Sequence, residues 1–165
     1  MAKQSKPAND GTKGNLPKLI ASNRKASFLY HLGEKFEAGL VLVGSEVKSL
    51  RDGKANLSDG YVDTRHGELH LFNTHIAPYA AANRFNHEPL RPRKLLLKAQ
   101  EIEKIQGKMK ERGFTLIPTR MYFKRGLAKC EIALAKGKKL HDKRESIRRK
   151  EQDRLIDRTL RSRTR

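Results

Sequence analysis

Acids and histidines are the side chains in this sequence that could do covalent chemistry. Glu46, Asp52, Asp59 and Asp63 crowd one short stretch, and a metal ion held by such carboxylates could hydrolyse a phosphodiester. Their local contexts argue otherwise, because Asp52-Gly53 and Ser58-Asp59-Gly60 are turn signals and Glu46 falls at a helix start. No Gly-rich phosphate loop, nucleophile elbow or HxxxH-type pair accompanies them. His66, His70 and His75, at spacings of four and five, are split between the two faces of a strand and lack a completing ligand set. Cys130 alternates with Ile132 and Leu134, the pattern of a small buried hydrophobe rather than a nucleophile. No catalytic residue, metal or cofactor is therefore expected. A metal-dependent RNA-processing enzyme remains as an alternative, to be revived by magnesium-dependent cleavage of RNA.

The dominant chemistry is charge. The 165 residues carry 37 Lys and Arg against 18 Asp and Glu, a formal +19. Positives outnumber negatives six to one over residues 1–26 and twelve to five over 137–165, against nineteen to twelve between them. Such an excess, densest at both ends, points to a nucleic-acid partner. No apolar run approaches a membrane span, no secretory leader is expected, and a single cysteine cannot form an intrachain disulfide, so a cytoplasmic protein is expected.

The elements that must position these charges can be read in order. Residues 1–19 mix Lys, Asn, Gly, Ser and Pro and predict a disordered basic arm. Phe28, Tyr30 and Leu32 alternate as in a strand. Glu37-Ala38-Gly39 leads into the apolar run Leu40–Val43, which predicts a mostly buried strand, and Ser45 is the expected cap of a short helix. In that helix Val47 and Leu50 share a face, while Lys48, Arg51 and Lys54 point to solvent or to a polyanion. His66-Gly67 joins residues 61–65 and 68–72 as a tight hairpin. Residues 77–90 form a long loop, followed by Arg91, Arg93 and Lys94, whose cations suit phosphate while Leu95, Leu96 and Leu97 anchor the segment. Ile102, Ile105 and Met109 mark a helix stopped by Gly113. Two strands follow, one bent at Pro118 and one running from Ala128 to Ala135, joined by a turn at Arg125-Gly126.

The string Gly44–Val62, GSEVKSLRDGKANLSDGYV, resembles the small protein B family, the SsrA-binding proteins. Further motifs extend the resemblance from Ile20 onward. They are Asn23-Arg24-Lys25-Ala26, Arg91–Leu97, Ala135–Lys139, His141 and Asp142-Lys143-Arg144. Its implied fold is mainly β with added helices: an OB-like closed β-barrel of about six strands and two or three helices over 20–136. The implied function is binding of the tRNA-like domain of transfer-messenger RNA and its delivery to stalled ribosomes for trans-translation. Alanylated transfer-messenger RNA, elongation factor Tu, the ribosome and its small-subunit rRNA are the implied associates, with the protein itself a monomer. A generic single-stranded RNA chaperone or ribosome-associated binder is the other reading that charge alone supports.

The resemblance also implies roles for individual residues. Asn23, Arg24, Lys25, Lys48, Arg51, Arg93 and Lys94 would meet RNA, as would Glu37, Leu96 and Lys98. At position 28 the family often carries His, and Phe28 keeps a surface able to stack on a base; a plain core role is the alternative. Glu37 would accept from base amino groups or orient an Arg, unless it is a strand-edge residue in a surface ion pair. Asn is familiar at position 98, so Lys98 exchanges a directional hydrogen bonder for a point charge.

Residues 137–165 form a separate tail with only five apolar side chains, Leu140, Ile147, Leu155, Ile156 and Leu160. Its acid-first pairs, Glu145/Arg149 and Asp157/Arg161, favour helix, yet its apolar residues do not share one face. The expectation is a tail disordered when free and helical on the ribosome. By resemblance, Lys138, Lys139, His141, Asp142, Lys143, Arg144 and Leu160 would contact the decoding centre and the empty mRNA channel. A merely solubilising tail is the alternative.

Overall fold

In the computed structural model, which describes residues 17–163, the chain runs through β1 (Lys18–Ser22), α1 (Arg24–Leu29), β2 (Tyr30–Leu40) and α2 (Gly44–Arg51). It continues through β3 (Ala55–Asn56), β4 (Tyr61–Arg65), β5 (Glu68–Phe72) and β6 (His75–Ile76), then a 3-10 helix at Ala80–Phe85. The remainder is β7 (Arg93–Leu96), α3 (Ala99–Met109), β8 (Phe114–Lys124), β9 (Leu127–Gly137) and α4 (Leu140–Arg163). The expected arm lies outside the described residues up to position 16, but its last two residues, Lys18 and Leu19, belong to β1.

The sheet order is β1-β8-β4-β5-β7-β2-β9, and β9 pairs back onto β8. Six antiparallel strands thus close into a ring, the mainly β architecture that the sequence implies, with β1 outside it. One long strand serves two neighbours along a single edge. Val62 of β4 meets Leu116 near the start of β8, whereas β1 pairs with Arg120–Phe123 near its end. The register shift between Pro118 and Arg120 bends β8 between these two partners. His66-Gly67 and Arg125-Gly126 make the two tight turns, with φ of 51° and 79° in the first and 51° and 76° in the second. Left-handed backbone at both positions matches the twist of the strands, and Gly adopts it without strain.

Inward positions of the strands supply the core, with Val62, Leu69, Leu71, Leu95, Leu116, Met121, Ile132 and Leu134 all buried. Leu50 of α2 and Ile105 of α3 join the same cluster. Cys130 belongs there too, and burial pushes its thiol up to about 12, so it is an unreactive core residue.

Three local expectations are corrected. Phe28 lies in α1, not in a strand, because the Asn23 side chain accepts from the Ala26 N–H at 3.0 Å and starts a helical turn. The strand containing Glu37 ends at Leu40, leaving Val41 and Val43 45% and 46% exposed. Ser45 is not the cap of α2. Glu46 accepts from the Val43 N–H at 2.9 Å instead, while the Ser45 hydroxyl pairs with His87 Nδ1 at 2.9 Å. Leu140–Arg163 of the tail form the helix α4, and Leu140, Leu155 and Ile156 lie exposed along it.

Candidate nucleic-acid interface

Strand alternation and register assemble the site on the outer face of β2, β9 and β8. Because Phe36 and Ala38 face inward, Glu37 and Gly39 face out; likewise Cys130 and Ile132 inward leave Lys129 and Glu131 outward. Glu37 stands opposite Glu131, which stands opposite Arg120, so one row crosses three strands. The next row brings Tyr122 and Lys129 together.

Glu37 is the hub. Its carboxylate accepts from the Tyr122 hydroxyl at 2.5 Å and from Lys124 Nζ at 2.9 Å, with Lys129 Nζ at 4.0 Å. The Tyr122 hydrogen bond, reinforced by Lys124, holds the Glu37 carboxyl below the usual carboxylate range. Burial and the facing carboxylate push the Tyr122 phenol well above its ordinary value, so it stays a donor. Glu131 accepts from the Thr119 hydroxyl at 2.7 Å and pairs with Lys35 at 3.3 Å and Arg120 at 3.4 Å. Four cations around two carboxylates leave the face positive, with fixed acceptors embedded in it. A groove of about 290 Å³ runs here, lined by Pro17, Leu19, Glu37, Arg120, Tyr122, Lys124 and Glu131.

Leu96 joins this face from β7. Inward Leu95 is buried, whereas Leu96 is 52% exposed and lies opposite Gly39. A Cβ at residue 39 would lie 3.3 Å from that of Leu96, so the glycine leaves the leucine its place. Lys98 follows, exposed at the start of α3, where its N–H donates to Glu101 at 3.0 Å. The sequence reading missed Tyr122, Lys124 and Lys129. Alternation around buried Met121 and Cys130 was the signal that could have placed them outside.

Two predicted contacts belong to the interior instead. Arg93 is completely buried, donating to Glu46 Oε1 at 2.8 Å and to the carbonyls of Thr74 and Pro89. Its guanidinium cannot meet a phosphate here, because β7 turns odd-numbered positions inward. Asn23 is also buried; besides capping α1, its Nδ2 donates to the carbonyls of Leu57 at 3.0 Å and Pro118 at 3.2 Å. Asn23→Ala removes the cap and strands two carbonyls. It is expected to lower stability by about 1–3 kcal/mol in urea unfolding, with RNA affinity unchanged once the folded fraction is accounted for.

The other predicted residues lie outside but apart. Arg24, Lys25 and Phe28 are exposed on α1, Lys25 being 3.8 Å from Asp59. Lys48 and Arg51 are exposed on α2. Lys94 pairs with Glu68 at 2.5 Å. In the tail, Lys138 Nζ donates to the Ser27 carbonyl at 3.0 Å and Ser146 Oγ at 3.1 Å. Asp142 accepts from the Lys139 N–H at 3.1 Å and pairs with His31 Nε2 at 3.2 Å. Those two residues therefore fasten the start of α4 to α1 and to β2. His141 and Arg144 are exposed together with Arg148, and Lys143 is half-buried. The side chain of Leu160 lies outside the described residues. Among the described residues no group of three or more His, Cys, Asp or Glu could hold a metal ion, and no helix is long and apolar enough to cross a membrane.

The family model for SmpB protein matches residues 20–162. The chain belongs to that family. An SsrA-binding protein of Geobacter sulfurreducens is 55% identical over 147 residues, covering 89% of this chain and 96% of its own. One from Syntrophobacter fumaroxidans is 57% identical over 148 residues, with 90% and 91% covered. Among solved structures, a chain from "tmRNA-SmpB: a journey to the center of the bacterial ribosome" superposes with a TM-score of 0.64 at 43% identity. That match covers 78% of this chain and 94% of the other. The SmpB match thus takes in the ring, the Glu37 face and α4 alike.

Proposed function

We propose that this protein is a non-catalytic SsrA-binding protein: the ring grips the tRNA-like domain of transfer-messenger RNA, and the tail acts after delivery to a stalled ribosome. The RNA grip rests on one observation. A carboxylate kept ionised by Tyr122 and Lys124 shares an outer face with exposed Leu96 and a surplus of lysine and arginine. Cations on such a face neutralise phosphates, whereas an anchored carboxylate accepts from base amino groups, and a leucine beside it offers apolar contact to a sugar or base. Within the tail, His141, Lys143 and Arg144 would meet the decoding centre, with the helix beyond them lying in the empty mRNA channel. Elongation factor Tu is the delivery partner in this reading, and the bulk protein is cytoplasmic.

Glu37→Ala and Leu96→Ala test the grip. Each is expected to weaken binding of transfer-messenger RNA about tenfold, the scale of one charge-assisted hydrogen bond or one apolar anchor. Thermal unfolding of Leu96→Ala should stay within about 0.5 kcal/mol of wild type. Glu37→Ala also gives up the Tyr122 and Lys124 hydrogen bonds and should cost about 1 kcal/mol, so its affinity is compared at equal folded fraction. Competition against unlabelled tRNA and random single strands, at moderate and high salt, separates recognition from general polycation binding. Wild-type affinity in both variants would remove the assignment of this face.

A further inference from the structure

The connection from β6 to β7 is long, and length without a sheet of its own marks a functional or a mobile segment. Here the backbone is fixed at several points. The Asn86 amide closes the segment on itself, donating to the Tyr79 carbonyl at 2.8 Å and accepting from the Tyr79 N–H at 2.9 Å. The buried His87 ring holds the next residue against Ile76 O at 3.1 Å and the Ser45 hydroxyl at 2.9 Å. Arg93 reaches the Pro89 carbonyl at 2.9 Å. Between these anchors the 3-10 helix ends on Phe85, whose residue surface is 78% exposed.

A cation stands against each of the Tyr79 and Phe85 rings of this segment. Arg84 Cζ stands over Phe85, 5.1 Å from the ring centroid. Lys48 Nζ stands 5.4 Å from the Tyr79 ring centroid, which sets this exposed cation of α2 against the same segment. One acid, Glu88, is exposed in this connection.

We propose that the loop tip is a second RNA contact, in which an unpaired base stacks on Phe85 while Arg84 and Lys48 take the flanking phosphates. Stacking needs only a π-face and tolerates any base, and a neighbouring guanidinium adds to it. Long cations along the segment gain by releasing counterions from the RNA. Lysine, which protein-binding patches deplete, stands against this segment at Tyr79. The surface shares no residue with the Glu37 face and does not depend on it.

Photocrosslinking tests this with the full chain carrying Phe85→p-benzoylphenylalanine. The probes are transfer-messenger RNA alone and, separately, bacterial ribosomes stalled on a truncated message. A crosslinked product that collapses on ribonuclease treatment is expected with at least one of them, and it should persist in a Glu37→Ala background. For the RNA that crosslinks, Phe85→Ala should lower affinity roughly tenfold and Phe85→Trp should retain it, with unfolding temperature unchanged in both. Crosslinks to ribosomal protein alone, no crosslink to either probe, or wild-type affinity in Phe85→Ala overturns the proposal.

Discussion

Arg93→Ala is expected to lower stability by about 3–5 kcal/mol, a large share of what an ordinary domain has, because it leaves a buried carboxylate without its inner partner. Glu46 is fully buried between Arg93 and Arg91, the latter donating at 2.9 and 2.5 Å. Through Arg93 the network also holds the carbonyls of Thr74 and Pro89, so a single side chain joins α2, β7 and the connection before β7. Arg93→Met keeps much of the volume and should still lose most of this stability, whereas adding Glu46→Gln to it should restore part. The pH dependence follows with a definite sign. Burial pushes the Glu46 carboxyl up, but the hydrogen bonds from Arg91, the Val43 N–H and Arg93 outweigh it and hold it below the usual carboxylate range. Its contribution is therefore present above the unfolded carboxylate value and lost as pH falls through the lower, folded one. Urea unfolding of the wild type should weaken below about pH 4.5 more steeply than that of Glu46→Gln. Parallel pH profiles for the two proteins would sink the assignment of Glu46 as the residue that sets acid stability.

Ending the chain after Gly137 should have the opposite pattern, with binding kept and function lost. The ring is complete at Gly137, which pairs with Tyr30, so the shortened protein retains every strand. It gives up only the bonds that fasten α4, such as Lys138 N–H to the Leu29 carbonyl at 2.9 Å. Affinity for transfer-messenger RNA at high salt should stay within about threefold of the full chain, since exposed cations act mainly through screened charge. Tagging of nascent chains on ribosomes translating a message without a stop codon should fall to background. Tagging at more than a tenth of the full-length rate would remove the tail from the mechanism. Lost binding in the shortened chain would instead place recognition in the tail.

Much of the ring was legible because its strands alternate or are bounded by Gly turns, and the hairpin at His66-Gly67 falls where the sequence puts it. The proposal of Glu37 and Leu96 as site residues came from resemblance, and strand parity puts both on one exterior face. Parity is also what local reading of Arg93 and Lys94 lacked. Adjacent cations looked equivalent, yet one strand sends them to opposite sides, and the inward one is tolerable only through Glu46, 47 positions away. No local window contains both. The strand placement of Phe28 failed for a nearer reason: a three-residue alternation was weaker than the turn begun by the Asn23 cap and fixed by carbonyls at Leu57 and Pro118.

The closing seam of the ring has a consequence for how the chain is born. β2 is among the first strands made, yet its long partner is β9, and the same end of the molecule joins Ser27 to Lys138 across 111 positions. Bringing such distant segments together costs loop entropy before any contact rewards it, which places this topology among slow folders. Throughout most of its synthesis, then, the edge of β2 that β9 will cover has nothing to pair with, and the nascent chain carries an open strand edge that favours association with other chains. Production at lowered temperature or with abundant holdase chaperones should therefore raise the soluble yield more than any change made to the finished surface.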